Sequence, residues 1–328
     1  MNTDSVSDEL RGQVAIVTGA GRGLGRAIAL ALARAGASVG VVARSGEQIA
    51  GTEREIGEAG GEALAVVADV SDAASVERMA RQVEGALGPT DLLVNDAATP
   101  GPLGPMWEAD AGDWWHTFEV NLRGPYLCSR ARLPGMIARC RGRIINLSTT
   151  AATMAVAHMG AYVIAKTALT RFTENLAAEL INSGVSVFAI DPGTVRTAMS
   201  EHILESEAGK KWLPWFRKLF DQGRDVPAEK AARLVVQVAA GRADALSGRF
   251  PASMTSWRSC WGGWKRSSAP TSTRFASVSW IRLTRTPGFG VRRRGRVFEA
   301  AQVHQSTYQQ LRGSVTKLAR ITLRPKPY

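Results

Sequence analysis

An apolar run that leads directly into a glycine-rich turn and then a helix constrains this chain more than any other feature. Residues 13–18, Gln-Val-Ala-Ile-Val-Thr, are β-branched and apolar with no polar face. That is the pattern of a short parallel strand buried on both sides. Thr18-Gly19-Ala20-Gly21-Arg22-Gly23-Leu24-Gly25 follows, then an alanine-rich helical segment over 26–34 closed by Gly36. Strand, glycine turn and helix start in that order build a dinucleotide pyrophosphate site. The glycines let backbone approach phosphate, and the helix start offers unpaired N–H groups and positive potential. A plain tight turn is the bland alternative, and the flanking strand and helix weigh against it.

The alternation of strand and helix continues. Residues 37–43 read as the second strand and end in Arg44-Ser45, where a site for NAD usually carries an acid. Arg44, with Arg22, could instead clamp a 2′-phosphate; otherwise both are solvated surface arginines. A helix over 47–60 precedes a third strand over 63–70, with Asp69 at its exit. Ser71-Asp72 starts a helix to about Leu87, and 91–95 form the fourth strand, running into Asn95-Asp96-Ala97-Ala98. Residues 107–132 read as one long helix or two and contain Asn121; 142–149 are the fifth strand, 186–191 the sixth. Such alternation implies an α/β fold, a Rossmann-type doubly wound parallel sheet in a single domain over 10–250. Ligands of such sheets lie at the carboxyl ends of the strands, where Gly19, Asp69 and Asn95 sit.

Tyr162 and Lys166 lie on the helix after the fifth strand, four residues apart and hence on one face. A free tyrosine titrates near ~10, and a lysine cation one turn away favours the phenolate and lowers that value. The pair could move a proton at a carbonyl or hydroxyl carbon. Alone it would be an ordinary solvated pair; the dinucleotide turn upstream makes the chemical reading the better one. Residues 198–225 carry Trp212, Trp215, Phe216 and Phe220 at helical spacings, either as core or as a lid over an apolar substrate. A helix from Pro227 to about Gly241 and a last short strand over 246–250 complete the domain.

Cys128, Cys140 and Cys260 show no metal-ligand spacing and suggest no disulfide framework, so no metal is expected. The polar, acidic start is unlike a secretory signal, and no apolar run is long enough to span a membrane; a cytoplasmic location is the default expectation. The net charge of +12 is unevenly placed: residues 251–328 carry 15 Lys and Arg against the single acid Glu299, a net +14, and the first 250 residues a net −2. This tail, residues 251–328, is expected to be irregular and disordered. Its tryptophans Trp257, Trp261, Trp264 and Trp280 fit, with chosen synonymous codons, a shifted frame that would encode an acidic amphipathic helix. The tail thus reads as a frameshift product, with a genuine basic extension as the alternative.

The motifs together resemble the short-chain dehydrogenase/reductase family. They are Thr18-Gly19-x-x-x-Gly23-x-Gly25, Asp69, Asn95, Asn121, Tyr162-x-x-x-Lys166 and Pro192-Gly193-x-Val195-x-Thr197, in order and at the expected spacing. The resemblance implies an oxidoreductase that interconverts a carbonyl and a secondary alcohol by hydride transfer with NADP(H), with NAD(H) as the other cofactor. It implies Tyr162 as acid/base, Lys166 lowering its pKa and holding the nicotinamide ribose, and Asn121 anchoring a proton-relay water. Leu24, Val70, Pro192, Gly193, Val195 and Thr197 would join the glycines, Arg22, Arg44, Asp69 and Asn95 around the cofactor. A homodimer or homotetramer acting on a small molecule, without nucleic acid or membrane, is the expected assembly. Two departures stand out. Thr149 replaces the usual serine thirteen residues before Tyr162 but keeps a hydroxyl, and the usual Asn-Asn-Ala-Gly reads Asn95-Asp96-Ala97-Ala98. The rival readings are a nucleic-acid-binding protein using the basic tail around Arg292-Arg293-Arg294, and a dinucleotide-binding domain without activity.

Overall fold

The computed structural model describes residues 8–250, so the basic tail and its frameshift reading lie outside the described residues. Six strands form one parallel sheet: β1 Val14–Thr18, β2 Ser38–Ala43, β3 Ala63–Val67, β4 Thr90–Asn95, β5 Gly142–Leu147 and β6 Val185–Ile190. Their spatial order is β3-β2-β1-β4-β5-β6. The chain builds outward from β1 to one edge, then returns across it to place β4 on its other side. This reversal opens a crevice at the carboxyl ends of β1 and β4.

Helices cover both faces, as parallel strands require. Successive side chains of a strand point to opposite faces. In β1, Ala15 and Val17 therefore pack against α1 Gly23–Arg34, α2 Gly46–Glu58 and α10 Ala228–Ala239, while Val14 and Ile16 face α3 Ala73–Leu87 and α5 Gly124–Ala138. All five β1 residues are buried, which is why the run carries no polar face. Asp72 caps α3, accepting from the N–H groups of Ala74 and Ser75, and Ser45 caps α2 in the same way.

Three expectations are corrected. The helical stretch expected from Trp107 starts later: Trp107 is exposed in a 3-10 turn, Met106–Glu108, and α4 Ala111–Phe118 runs through a π turn, Glu119–Arg123, into α5. The aromatics of 198–225 do not share one helix. The segment forms α7 Ala198–Glu205, which carries none of them, then α8 Glu207–Trp212, which ends in Trp212, and α9 Pro214–Asp221, which holds the other three; Pro214 lacks the N–H that would continue α8. The strand expected over 246–250 is not formed. Asp244–Leu246 is a 3-10 turn, after which the Ser247 hydroxyl accepts from Val187 N–H and Gly248 N–H donates to Val187 O at 2.8 Å. A side chain and one glycine thus satisfy the outer edge of β6 at Val187 where a seventh strand was expected.

The buried centre and exposed edge of the sheet differ enough to test by mutation. Ile16→Ala, at a site with no solvent exposure, should cost about 2–5 kcal/mol of unfolding free energy. Val67→Ala, on the edge strand and 61% exposed, should cost less than about 0.5 kcal/mol. Urea unfolding of both variants checks this; equal losses would contradict the strand order.

Candidate active site

The glycine-rich turn is shaped by its closeness to β4. Gly19 has a φ of +72°, and a Cβ there would lie 2.9 Å from the Ala97 backbone; a Cβ on Gly25 would lie 2.4 Å from the Gly19 carbonyl oxygen. Neither position tolerates a side chain. Arg22, the residue before α1, makes no side-chain cap and no acid lies in the first turn of the helix, so apart from the Gly25 N–H, which Asp96 takes up, its N–H groups and positive potential face the crevice. Leu24 is buried beneath the turn, and Gly23 meets the Thr197 methyl, which would stand 3.2 Å from a Cβ there. The loop after β6 is thereby folded against the turn. Gly193, at φ +78°, donates its N–H to Asp191; Val195 is buried in the core below; Thr197 caps α7 through a reciprocal pair with Ser200. Pro192 lies between Asp191 and Gly193, at the exit of β6.

Arg22 and Arg44 are exposed at the mouth of the turn, and neither forms an ion pair within the described residues. Asp69 accepts from both the N–H and the hydroxyl of Ser71, at 2.9 and 2.6 Å. Burial pushes its pKa up, but these bonds and the charges of Arg44 and His116 hold it below the usual carboxylate value. Val70 is buried against Gly124 at the start of α5.

The Asn95 side chain turns away from the crevice. Its amide donates to Asn146 Oδ1, and Asn146 donates to Thr173 Oγ1, both at 2.8 Å. All three residues are buried, so this chain ties β4, β5 and α6 Gly160–Glu179 together. A role for Asn95 at a cofactor falls to its backbone. Asn121, fully buried in the π turn, is likewise committed: its side chain accepts from Thr99 N–H and donates to Thr99 O, each at 2.9 Å. It pins the loop after β4 to the helix.

Tyr162 and Lys166 lie on α6 as the spacing predicts. Lys166 is 3% exposed, its ammonium 5.9 Å from the centre of the Tyr162 ring and donating to the Leu147 carbonyl at 2.7 Å. The half-buried Tyr162 has no hydroxyl hydrogen bond among the described residues and packs with Met159, Val163, Leu103, Trp212 and Phe216. Trp212, stacked 4.6 Å from His158, covers this apolar side; the aromatics of 198–225 are thus both packing and cover. Thr149 sits at the exit of β5 and accepts from Ala151 N–H, which leaves its hydroxyl proton available; Ser148 is buried on the other side against Thr170.

The ionisation of the pair differs from the sequence expectation. Burial, then the negative charges of Asp191 and Asp96, push Tyr162 above its ordinary range, and Lys166 does not offset them. Burial lowers Lys166 to about 8, against the opposing pull of Asp96. Two acids are therefore part of the site: Asp96, which the sequence showed only as a departure within Asn95-Asp96-Ala97-Ala98, and Asp191, which no motif marked. Asp191 accepts from the N–H and hydroxyl of Thr150 and from Gly193 N–H, so it joins the ends of β5 and β6. Asp96, partly exposed as a residue but with its carboxyl enclosed, accepts from Gly25 N–H; burial raises it to about 7, opposed by Lys166 and that N–H. The sequence showed it as an acid where the family pattern has an asparagine; that its carboxyl faces the glycine turn is seen only in the fold.

A fold and crevice of this kind have matches among known proteins. The short chain dehydrogenase family model matches residues 13–208. A short chain dehydrogenase of Pseudocercospora fijiensis is 39% identical over 193 residues, 58% of this chain and 62% of that protein, so the chain spans less than two thirds of that relative's length. A 2-dehydro-3-deoxy-L-rhamnonate dehydrogenase (NAD(+)) of a Sphingomonas species is 31% identical over 225 residues, covering 68% of this chain and 86% of that one. The crystal structure of a metagenomic short-chain oxidoreductase in complex with NADP superposes with a TM-score of 0.59 at 36% identity, covering 71% of this chain and 92% of that one. The chain belongs to the short-chain dehydrogenase family.

Asp96 gives this site a testable pH dependence. Its pKa is higher folded, about 7, than the ordinary 3.8 of an unfolded chain, so the unfolded state releases the proton first as pH rises. Stability from this group is therefore lost between about pH 4 and 7, by at most about 1.4 kcal/mol per pH unit. Urea unfolding of Asp96→Asn should show a shallower loss over that range; an unchanged slope would remove Asp96 as its source.

Proposed function

We propose that the chain is an oxidoreductase that interconverts a carbonyl and a secondary alcohol with NADP(H). One observation carries the reading: an unbonded tyrosine hydroxyl beside a buried lysine lies at the same sheet edge as an uncapped, glycine-lined helix start. The crevice fits a dinucleotide on its own geometry. Gly19 and Gly25 leave no room for side chains, α1 presents the N–H groups of Gly23 and Leu24, and Arg22 and Arg44, without ion pairs among the described residues, flank the turn. The start of α1 would hold the pyrophosphate, Arg22 and Arg44 the 2′-phosphate, and Lys166 with Tyr162 the nicotinamide ribose. When bound, the nicotinamide supplies or accepts the hydride.

The chain's own residues would handle the proton and the substrate. Tyr162 is held neutral, so it carries the proton that an acid gives to the carbonyl oxygen in the reductive direction, and its raised proton affinity has to be offset by positive charge at the site before that proton leaves. The Thr149 hydroxyl can donate to the same oxygen. Lys166, with a pKa near neutrality, can carry the positive charge that steadies the developing phenolate. Asp191 and Asn121 position these groups by fixing the strand-end loops. The apolar surface around Tyr162 excludes water from one side. A homodimer or homotetramer is proposed as the assembly, consistent with the exposed Tyr126, Ile137 and Ile164 on α5 and α6. No helix among the described residues is long and apolar enough to cross a membrane.

Tyr162→Phe keeps the ring and its packing but removes the proton. Its kcat in an NADPH-consumption assay over ketones and aldehydes should fall about 10²–10⁴-fold; near-normal turnover would remove Tyr162 from the mechanism. Fluorescence titration should show tighter binding of NADPH than NADH, and Arg44→Asp should weaken NADPH and narrow that gap. Equal affinities in the unmodified protein would make Arg44 a surface charge and leave the cofactor preference without support.

A further inference from the structure

Asp96 brings a carboxyl group to the first turn of α1, beside Gly25. Its backbone N–H donates to Thr18 Oγ1 at 3.1 Å, fixing the residue at the carboxyl end of β4 beside β1. Its side chain accepts from Gly25 N–H, and Asp96 Oδ2 lies 2.7 Å from where a Gly25 Cβ would be. That N–H belongs to the first turn of α1, which has no acid of its own. The titratable groups facing Asp96 from the other side are Lys166 and Tyr162 on α6; Asp191, at the end of β6, acts on Tyr162. Asp96 thus links the anion-binding end of the crevice to the proton-transfer end. An approaching phosphate would add like charge and raise the proton affinity of the carboxyl.

We propose that Asp96 is a proton-linked positioning residue: binding of a dinucleotide to the glycine turn is coupled to uptake of one proton from solvent onto the Asp96 carboxyl. The neutral acid keeps an acceptor oxygen for Gly25 N–H, so the turn holds its shape while its negative charge is removed. The proposal rests on the reading of the crevice as an NADP(H) site. It explains how a crevice with its own acid can take an anionic cofactor, and it makes affinity fall as pH rises through the range where Asp96 ionises.

Calorimetric titration of NADPH into the full-length protein, in two buffers of different ionisation enthalpy at pH 7.5, counts the protons. Net uptake of more than about half a proton is expected, and the Kd should rise about five- to tenfold between pH 6 and pH 8. Arginine contacts would lower the pKa of the 2′-phosphate and release protons, so that contribution has the opposite sign. Asp96→Asn keeps the acceptor oxygen and should lose both the uptake and the Asp96 part of the pH dependence. Equal proton counts and equal pH dependence in the two proteins would overturn the proposal. If the variant does not fold, the same titration of the unmodified protein with NADH, which has no 2′-phosphate to titrate, decides: proton uptake supports coupling, and zero uptake overturns it. Failure to bind NADPH even at pH 6 would instead overturn the cofactor reading.

Discussion

The return of the chain across β1 is the constraint on which the rest of this structure depends. Because β4 is laid beside β1 with β3 already on the far side of β2, the loops leaving β1 and β4 diverge and leave a crevice between them. The glycines are needed because the two loops still run close together, with the position of a Gly19 Cβ only 2.9 Å from the Ala97 backbone. A sheet in simple sequential order would have no such opening, and the uncapped start of α1 would have nothing to face.

A second constraint holds the helix of Tyr162 and Lys166 to this frame. The chain from Asn95 through Asn146 to Thr173 runs through the buried sheet and ends on α6, the helix that carries Tyr162 and Lys166. Buried polar groups of this kind are costly unless paired, so the register of α6 against β5 is strongly specified. Asp191 does the same for the loops, gathering Thr150 and Gly193 on one carboxylate. The site is thus positioned by buried hydrogen bonds, and the same burial shifts the ionisation of Tyr162 and Lys166.

Much of the fold was legible because it rests on local physics. Continuous apolar runs bounded by turns mark all six strands, and the cap at Asp72 marks the start of α3. The glycine turn and the Tyr162–Lys166 spacing were legible because their chemistry depends on short sequence distances. What was not legible depends on tertiary contacts. The π turn carries Asn121, whose amide pairs with Thr99, 22 residues away. Residues 246–250 look like a strand, yet Ser247 and Gly248 satisfy Val187 from a turn. Lys166 was expected to lower the pKa of Tyr162; instead it bonds the Leu147 carbonyl, and burial, followed by two acids from distant strand ends, holds Tyr162 above its ordinary range. Asn146 and Asp191 are ordinary strand-end polar residues in sequence; only the sheet reveals what they hold.

The central claim is that one crevice joins the glycine turn to the Tyr162–Lys166 pair. A crystal structure of the protein grown with NADP+ tests it most directly. The pyrophosphate is expected on the start of α1, the 2′-phosphate between Arg22 and Arg44, and the nicotinamide ribose within hydrogen-bonding reach of Tyr162 and Lys166. A dinucleotide bound elsewhere, or with its nicotinamide directed away from Tyr162, would contradict it.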